Sequence, residues 1–207
     1  TSTELNPIVN YSTEGWHTVK LTVTNENGSN TKIFENYLNV SKSDAIYDAT
    51  YFADFNDESS TKQDWIFYNK YPDDREWKWR SSNGYWNSGC VWLNSRYGPD
   101  LETDIIISPA FDLALNLTDN VFFKYATTSY GVGEVDYTMS LKIYYSINCG
   151  DTWVYMNKLT GAELISSYGG SSDFYPQYPD QWASAVFNLP ESAKTNHVQF
   201  KFEFVYN

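Results

Sequence analysis

The chain is 207 residues long and carries 14 Lys and Arg against 26 Asp and Glu, a formal net charge of −12. That balance excludes a nucleic-acid duplex as partner, because phosphates must be met by cationic side chains, and it disfavours an anionic membrane surface. No apolar run approaches the roughly 20 residues of a membrane span. Aromatic residues, at 18%, supply ample area for a folded, sheet-rich core. The opening TSTELNPIVNY lacks the basic start and apolar core of a secretory leader.

Residues 16–24 alternate Val19, Leu21 and Val23 with Thr18, Lys20, Thr22 and Thr24, the period of a half-buried strand. Asn27 and Gly28 supply a turn, and 31–40 returns as the second strand of a hairpin. The polar stretch 42–48 reads as a linker, which separates a region 1–41 from a larger one, 49–207. In the larger region strands are predicted at 49–55, 76–80, 90–94, 104–107, 120–126, 140–146, 152–157, 182–188 and 197–205. Turn residues separate them, and 161–167 supplies at most a helical turn or two. Short, evenly punctuated strands define an all-β chain of sandwich or jelly-roll type.

Chemistry-bearing residues are sparse. His17 and His197 are the only imidazoles, and no H-E-x-x-H, G-x-S-x-G or P-loop occurs. Both histidines read as structural. Cys90 and Cys149 are either buried free thiols or one disulfide. A disulfide closing a loop of about 60 residues would stabilise by roughly 4 kcal/mol and imply an oxidising compartment; the disulfide is the expectation. Acidic clusters fall at Asp54/Asp57/Glu58, Asp73/Asp74, Asp100/Glu102/Asp104 and Glu134/Asp136. They read as solvated surface, as a glycosidase pair, or as oxygen ligands for calcium. The stretch 68–98 mixes Trp and Tyr with polar residues, and 166–182 is a second Tyr-rich loop. Trp77, Trp79 and Trp92 are expected in the core, whereas Tyr85, Trp86, Tyr97 and Tyr175 are candidate ligand-stacking residues.

YSTEGWHTVKLTVTNENG resembles the second half of a PKD domain, an immunoglobulin-like sandwich. Tyr11, Gly15, Thr18, Val19, Leu21, Val23, Asn25 and Gly28 match its pattern Y-x-x-x-G-x-Y-T-V-x-L-x-V-x-N-x-x-G, with His17 in place of a tyrosine. The earlier half is missing, which would leave sheet edges unpaired; the chain is therefore expected to be a piece of a longer multidomain protein.

From about residue 49 the features are similar to the jelly-roll module that follows PKD repeats in secreted Bacteroidetes metalloproteases of the cytophagalysin (pappalysin-like) type, related to cleaved-adhesin and MAM domains. Phe52, Phe55 and Asn56 match its opening, followed by Trp65, Trp77 and Trp79. Asp104, Ile106, Ser108, Pro109, Asp112 and Leu113 match D-x-L-x-S-P-x-x-D-L. Val121, Phe123, Tyr125 and Ala126 match a later strand. Leu141, Ile143, Ser146, Asn148, Cys149, Gly150, Thr152 and Trp153 match the tail motif, with Asn148 replacing an aspartate. The module's last strand would follow Asn207 and is not in the sequence. The same tail motif fits an Asp-box, read here as one hairpin turn whose polar side chains bond their own backbone.

The resemblance implies a partial PKD hairpin, then a jelly roll with a structural calcium near its first strand, for which Asp54, Asn56 and Asp104 are the expected ligands. It implies a non-catalytic accessory region of a secreted or cell-surface bacterial metalloprotease that contacts a protein or glycan surface. The alternative is a glycan-active jelly-roll enzyme using a carboxylate pair.

Overall fold

The computed structural model describes residues 1–40, 46–71, 73–95, 101–115, 119–129, 139–168 and 174–206. It divides into two units, Thr1–Ala45 and Ile46–Asn207. The first unit is an antiparallel hairpin of β1 (Gly15–Asn25) and β2 (Gly28–Val40). Asn25 pairs with Gly28, so the two turn residues are Glu26 and Asn27, and Gly28 opens β2 at φ +134°, a conformation open to glycine. Leu21, Val23 and Ile33 are exposed on the hairpin, and His17 packs on Tyr11 with ring centroids 4.6 Å apart.

The second unit runs β3 (Ile46–Tyr47), α1 (Glu58–Asp64), β4 (Ile66–Asn69), β5 (Lys78–Arg80), β6 (Cys90–Trp92), β7 (Thr103–Ile107), β8 (Ala110–Phe111), β9 (Asn120–Tyr125), β10 (Thr128–Ser129), β11 (Ser140–Ser146), β12 (Val154–Thr160), β13 (Ser167–Tyr168), β14 (Ala183–Asn188) and β15 (Gln199–Val205). Five of these strands form an antiparallel sheet in the order β12-β11-β15-β7-β4. Period-two alternation decides its faces. Leu141, Ile143 and Tyr145 of β11 lie opposite Phe204, Phe202 and Phe200 of β15, and Phe202 lies opposite Ile106 of β7.

The β9–β14 pair covers that apolar face. Phe123, Ala185 and Phe187 join Leu141, Ile143 and Phe204 in one cluster, and Phe123 meets Phe202 edge-on at 5.3 Å. Two sheets packed face to face around this cluster are a β-sandwich. Each fully buried Ile or Phe contributes about 1.5–3 kcal/mol of transfer free energy; Ile143, fully buried, sits at the centre. The other face of the five-stranded sheet is mixed: Ile105 and Ile107 of β7 lie opposite Glu203 and Lys201 of β15, and Lys201 bonds Glu203 at 3.2 Å and sits 4.1 Å over the Tyr144 ring.

Several segments differ from the sequence expectation, which also lacked β4, the edge strand of the five-stranded sheet. Residues 49–55 form no strand: the Asp48 carboxylate takes the backbone N–H and hydroxyl of Thr50, and Phe55 turns the chain at φ 53°. Such local side-chain bonds compete with a sheet ladder. The acids at 57–58 open a helix instead of forming a ligand cluster. Asp57 caps α1 by accepting from the Ser60 N–H at 2.7 Å, and Glu58 pairs with Lys62 one turn on. Ile46 and Tyr47, placed in the linker by their polar surroundings, pair in parallel with Ala110 and Phe111.

Candidate functional site

Residues 81–89 join β5 to β6, and their backbone is strained. Asn83, Trp86 and Asn87 lie at φ 69°, 56° and 61°, a left-handed region that costs a non-glycine residue on the order of 1 kcal/mol or more. Hydrogen bonds close the loop on itself: the Gly84 N–H donates to Ser88 O at 2.9 Å, and the Asn87 N–H to Gly84 O at 3.0 Å. Glycine is required at its base. A Cβ on Gly89 would stand 1.7 Å from the Phe55 carbonyl oxygen, and one on Gly84 would stand 2.1 Å from that of Gly89.

The loop is held from outside by residues 54–56. The buried Gly89 N–H donates to Asn56 Oδ1 at 2.9 Å, and Trp79 Nε1 donates to Phe55 O at 2.7 Å. Asn56 is in turn oriented by Asp54, whose carboxylate accepts from the Asn56 N–H at 3.0 Å and from its Nδ2 at 2.8 Å. Asp54 and Asn56 thus spend their oxygens anchoring a loop.

The result is a displayed indole. Trp86 is 74% exposed and meets Tyr85 edge-on at 5.8 Å; Tyr85 meets Trp182 at 6.3 Å. Lys124 Nζ sits 4.3 Å over the Tyr85 ring and 5.6 Å from that of Phe122, and donates to Ser184 Oγ at 2.8 Å. Arg80 of β5 lies between Trp92, 3.8 Å away, and Tyr175, 4.6 Å away, with Nη2 3.5 Å from the Tyr175 hydroxyl. The chain before β14 is tightened by Gln181, whose side-chain oxygen accepts from the Gln177 and Tyr178 N–H groups.

Of the four candidate stacking residues, Tyr85 and Trp86 come together, and Tyr175 reaches the same β5–β6 hairpin through Arg80. Tyr97 lies outside the described residues. Sequence reasoning missed Arg80, Lys124 and Trp182. Strand parity held a signal for Lys124: Val121, Phe123 and Tyr125 are the inward row of β9, so Phe122 and Lys124 face out, opposite Val186 and Ser184.

Asp104, expected beside Asp54 and Asn56, instead accepts from the Tyr206 hydroxyl at 2.6 Å, and its backbone carbonyl accepts from Trp77 Nε1. Burial, with repulsion from Asp73, Glu76 and Glu102, holds its carboxyl above the usual range despite the Tyr206 bond. Asp54, Asn56 and Asp104 thus each bond protein partners, and among the described residues no three His, Cys, Asp or Glu side chains gather at metal-binding spacing. Asp54 and Asp64 line one shallow depression of about 140 Å³ with Tyr51, Ser60 and Trp65; the Tyr47 hydroxyl donates to Asp64 at 2.8 Å. Asp100, Glu134 and Asp136 lie outside the described residues.

The expected Cys90–Cys149 disulfide is not formed; both thiols are free. Cys90 is buried in β6 and donates to the Ser82 carbonyl, and burial pushes its thiol up to about 11. Cys149 is exposed at φ 57° in the β11–β12 turn, 3.8 Å from His197 Nε2. That turn is the hairpin expected from its motif: Ser146 Oγ accepts from the Gly150 N–H at 2.9 Å, and Asn148 Oδ1 from the Thr152 N–H at 3.0 Å.

No helix among the described residues is long and apolar enough to cross a membrane. A scan against protein-family models gives no match, and a search of curated proteins gives none either. The structure thus defines an all-β chain whose larger unit is a sandwich with an anchored aromatic loop.

Proposed function

We propose that Ile46–Asn207 is a non-catalytic binding module which attaches a longer, secreted or cell-surface protein to a glycan surface through the loop carrying Trp86. The metalloprotease context rests on the resemblance of residues 104–113 and 141–153 to that jelly-roll module. The observation that carries the binding reading is Trp86 itself, a large ring exposed to solvent on a left-handed backbone. Burial gives such strain little return, since the indole is 74% exposed. A sugar ring offers an apolar C–H face to an aromatic and a rim of hydroxyls to hydrogen-bonding neighbours. Ser82, Asn83, Asn87 and Ser88 of the same loop supply neutral donors and acceptors.

Affinity electrophoresis through gels containing polysaccharides tests this, with Trp86→Ala and Trp86→Gly as variants. Both are expected to lose retardation by at least about tenfold in apparent affinity, in line with the loss of a central aromatic anchor. Trp86→Gly should also gain about 1 kcal/mol of stability, because glycine adopts the same φ without strain. Loss of binding with gained stability separates functional strain from a structural role. Unchanged retardation in both variants, or a fall in stability above about 1 kcal/mol in Trp86→Gly, refutes the reading. A second reading, glycoside cleavage by paired carboxylates, would place them in the Asp54–Asp64 depression; sugar release abolished by Asp64→Asn would establish it.

A further inference from the structure

The β5–β6 hairpin that carries Trp86, with Lys124 of β9 beside it, combines ring faces with two cations that no carboxylate among the described residues pairs. Lys62, Arg75, Lys78, Lys194 and Lys201 each lie against a carboxylate, whereas Lys20, Lys32, Lys70, Lys142 and Lys158 lie against none among the described residues. Arg80 and Lys124 pair with none among the described residues, although acids outnumber bases 26 to 14. Both are half-buried and are held by aromatic faces instead, Arg80 between Trp92 and Tyr175, Lys124 over Tyr85. A guanidinium stacked on its faces keeps its edge N–H donors pointing outward in the fork that fits a carboxylate or sulfate. Lys124 spends one N–H on Ser184 and retains two.

We infer that the ligand of this surface is an acidic saccharide, carrying uronate or sulfate groups, whose rings stack on Trp86 while Arg80 and Lys124 take its anions. The inference rests on the glycan reading above and narrows it. An acidic peptide offers the anions but not the repeating flat C–H faces and hydroxyls that fit a displayed indole in a loop of Asn and Ser residues. Charge supplies selectivity as well, because the chain as a whole, at net −12, repels polyanions. Retention of an acidic polymer must therefore come from a local cationic site.

The test is affinity electrophoresis of the whole chain against uronate polymers (polygalacturonate, alginate, hyaluronan), sulfated polymers (dextran sulfate, heparin) and neutral ones (dextran, mannan, galactan). Wild type, Lys124→Met, Arg80→Lys and Trp86→Ala are compared, with circular dichroism melts as the folding control. Expected is retardation by at least one acidic class and weak or no retardation by the neutral class. Lys124→Met should weaken it about tenfold, and Arg80→Lys, which keeps the charge but loses the fork, by a smaller factor. Raising NaCl from 50 to 500 mM should weaken it further. Retardation by neutral polymers alone, lost in Trp86→Ala and intact in Lys124→Met, overturns the acidic inference and leaves the glycan reading standing. Retardation by no polymer of any class overturns both. Acidic retardation that survives Lys124→Met, Arg80→Lys and Trp86→Ala together overturns the site.

Discussion

Asn56→Ala isolates the anchor of the Trp86 loop. The substitution removes the side-chain acceptor of the Gly89 N–H, a buried group in a stretch so tight that a single added carbon would overlap the Phe55 carbonyl. Leaving such an N–H unpaired costs about 1–3 kcal/mol. Asn56 itself is exposed, so water reaches part of the gap and the expected loss is about 1–2 kcal/mol. For a unit of this size that corresponds to a fall in Tm of roughly 3–6 °C. The Trp86 loop should loosen at the same time, with a red-shifted, more quenchable tryptophan emission.

Asn56→Asp makes the mechanism specific. It keeps an oxygen for Gly89 but sets a second carboxylate against Asp54, where an N–H donor stood 2.8 Å away. Repulsion raises the folded-state pKa of that pair, so its stability is intact at low pH and is lost as pH rises through the carboxylate range. Urea unfolding from pH 3.5 to 7 reads both effects. A loss below about 0.5 kcal/mol in Asn56→Ala, together with a pH-independent Asn56→Asp, would refute the anchoring role.

Thiol labelling separates the two cysteines. Iodoacetamide at pH 8 should modify one thiol, Cys149, in the native chain and two after unfolding; two unreactive thiols released only by a reductant would restore the disulfide. Asp104→Asn keeps an acceptor for the Tyr206 hydroxyl while removing a charge that burial opposes. Because the folded-state carboxyl is raised, ionisation destabilises the native chain at neutral pH, so the variant should melt higher than wild type at pH 7 in EDTA. That advantage should close as pH falls toward the unperturbed value of 3.8. A lower Tm for the variant in calcium, with loss of a calcium-dependent rise in wild type, would return Asp104 to metal binding.

Several strands of the larger unit were legible where apolar alternation met β-branched or aromatic residues: β11 falls on residues 140–146 as expected, β7, β9, β14 and β15 differ from expectation by one or two residues at either end, and β4 went unread. Trp86 and Tyr85 were legible as candidates because their neighbours are polar. What a linear reading could not supply was the partner across the fold. Asn56 meets Gly89, 33 residues on, Cys149 meets His197, 48 residues on, and Arg80 meets Tyr175, 95 residues on. Each of these contacts changed the role assigned to a residue.

The acid excess shows the same limit from another side. Clustered aspartates resemble calcium ligands because both uses need short side chains bearing oxygens near the backbone. Asp48, Asp54, Asp73 and Asp112 each accept from the backbone N–H two residues on, and Asp57 from the one three residues on. These are the Asx turns and caps that give a chain rich in irregular connections its fixed path. Carboxylates committed to local backbone donors are poorly placed to neutralise distant cations. That leaves Arg80 and Lys124 to settle on ring faces, and it makes a cationic aromatic patch compatible with a strongly acidic chain.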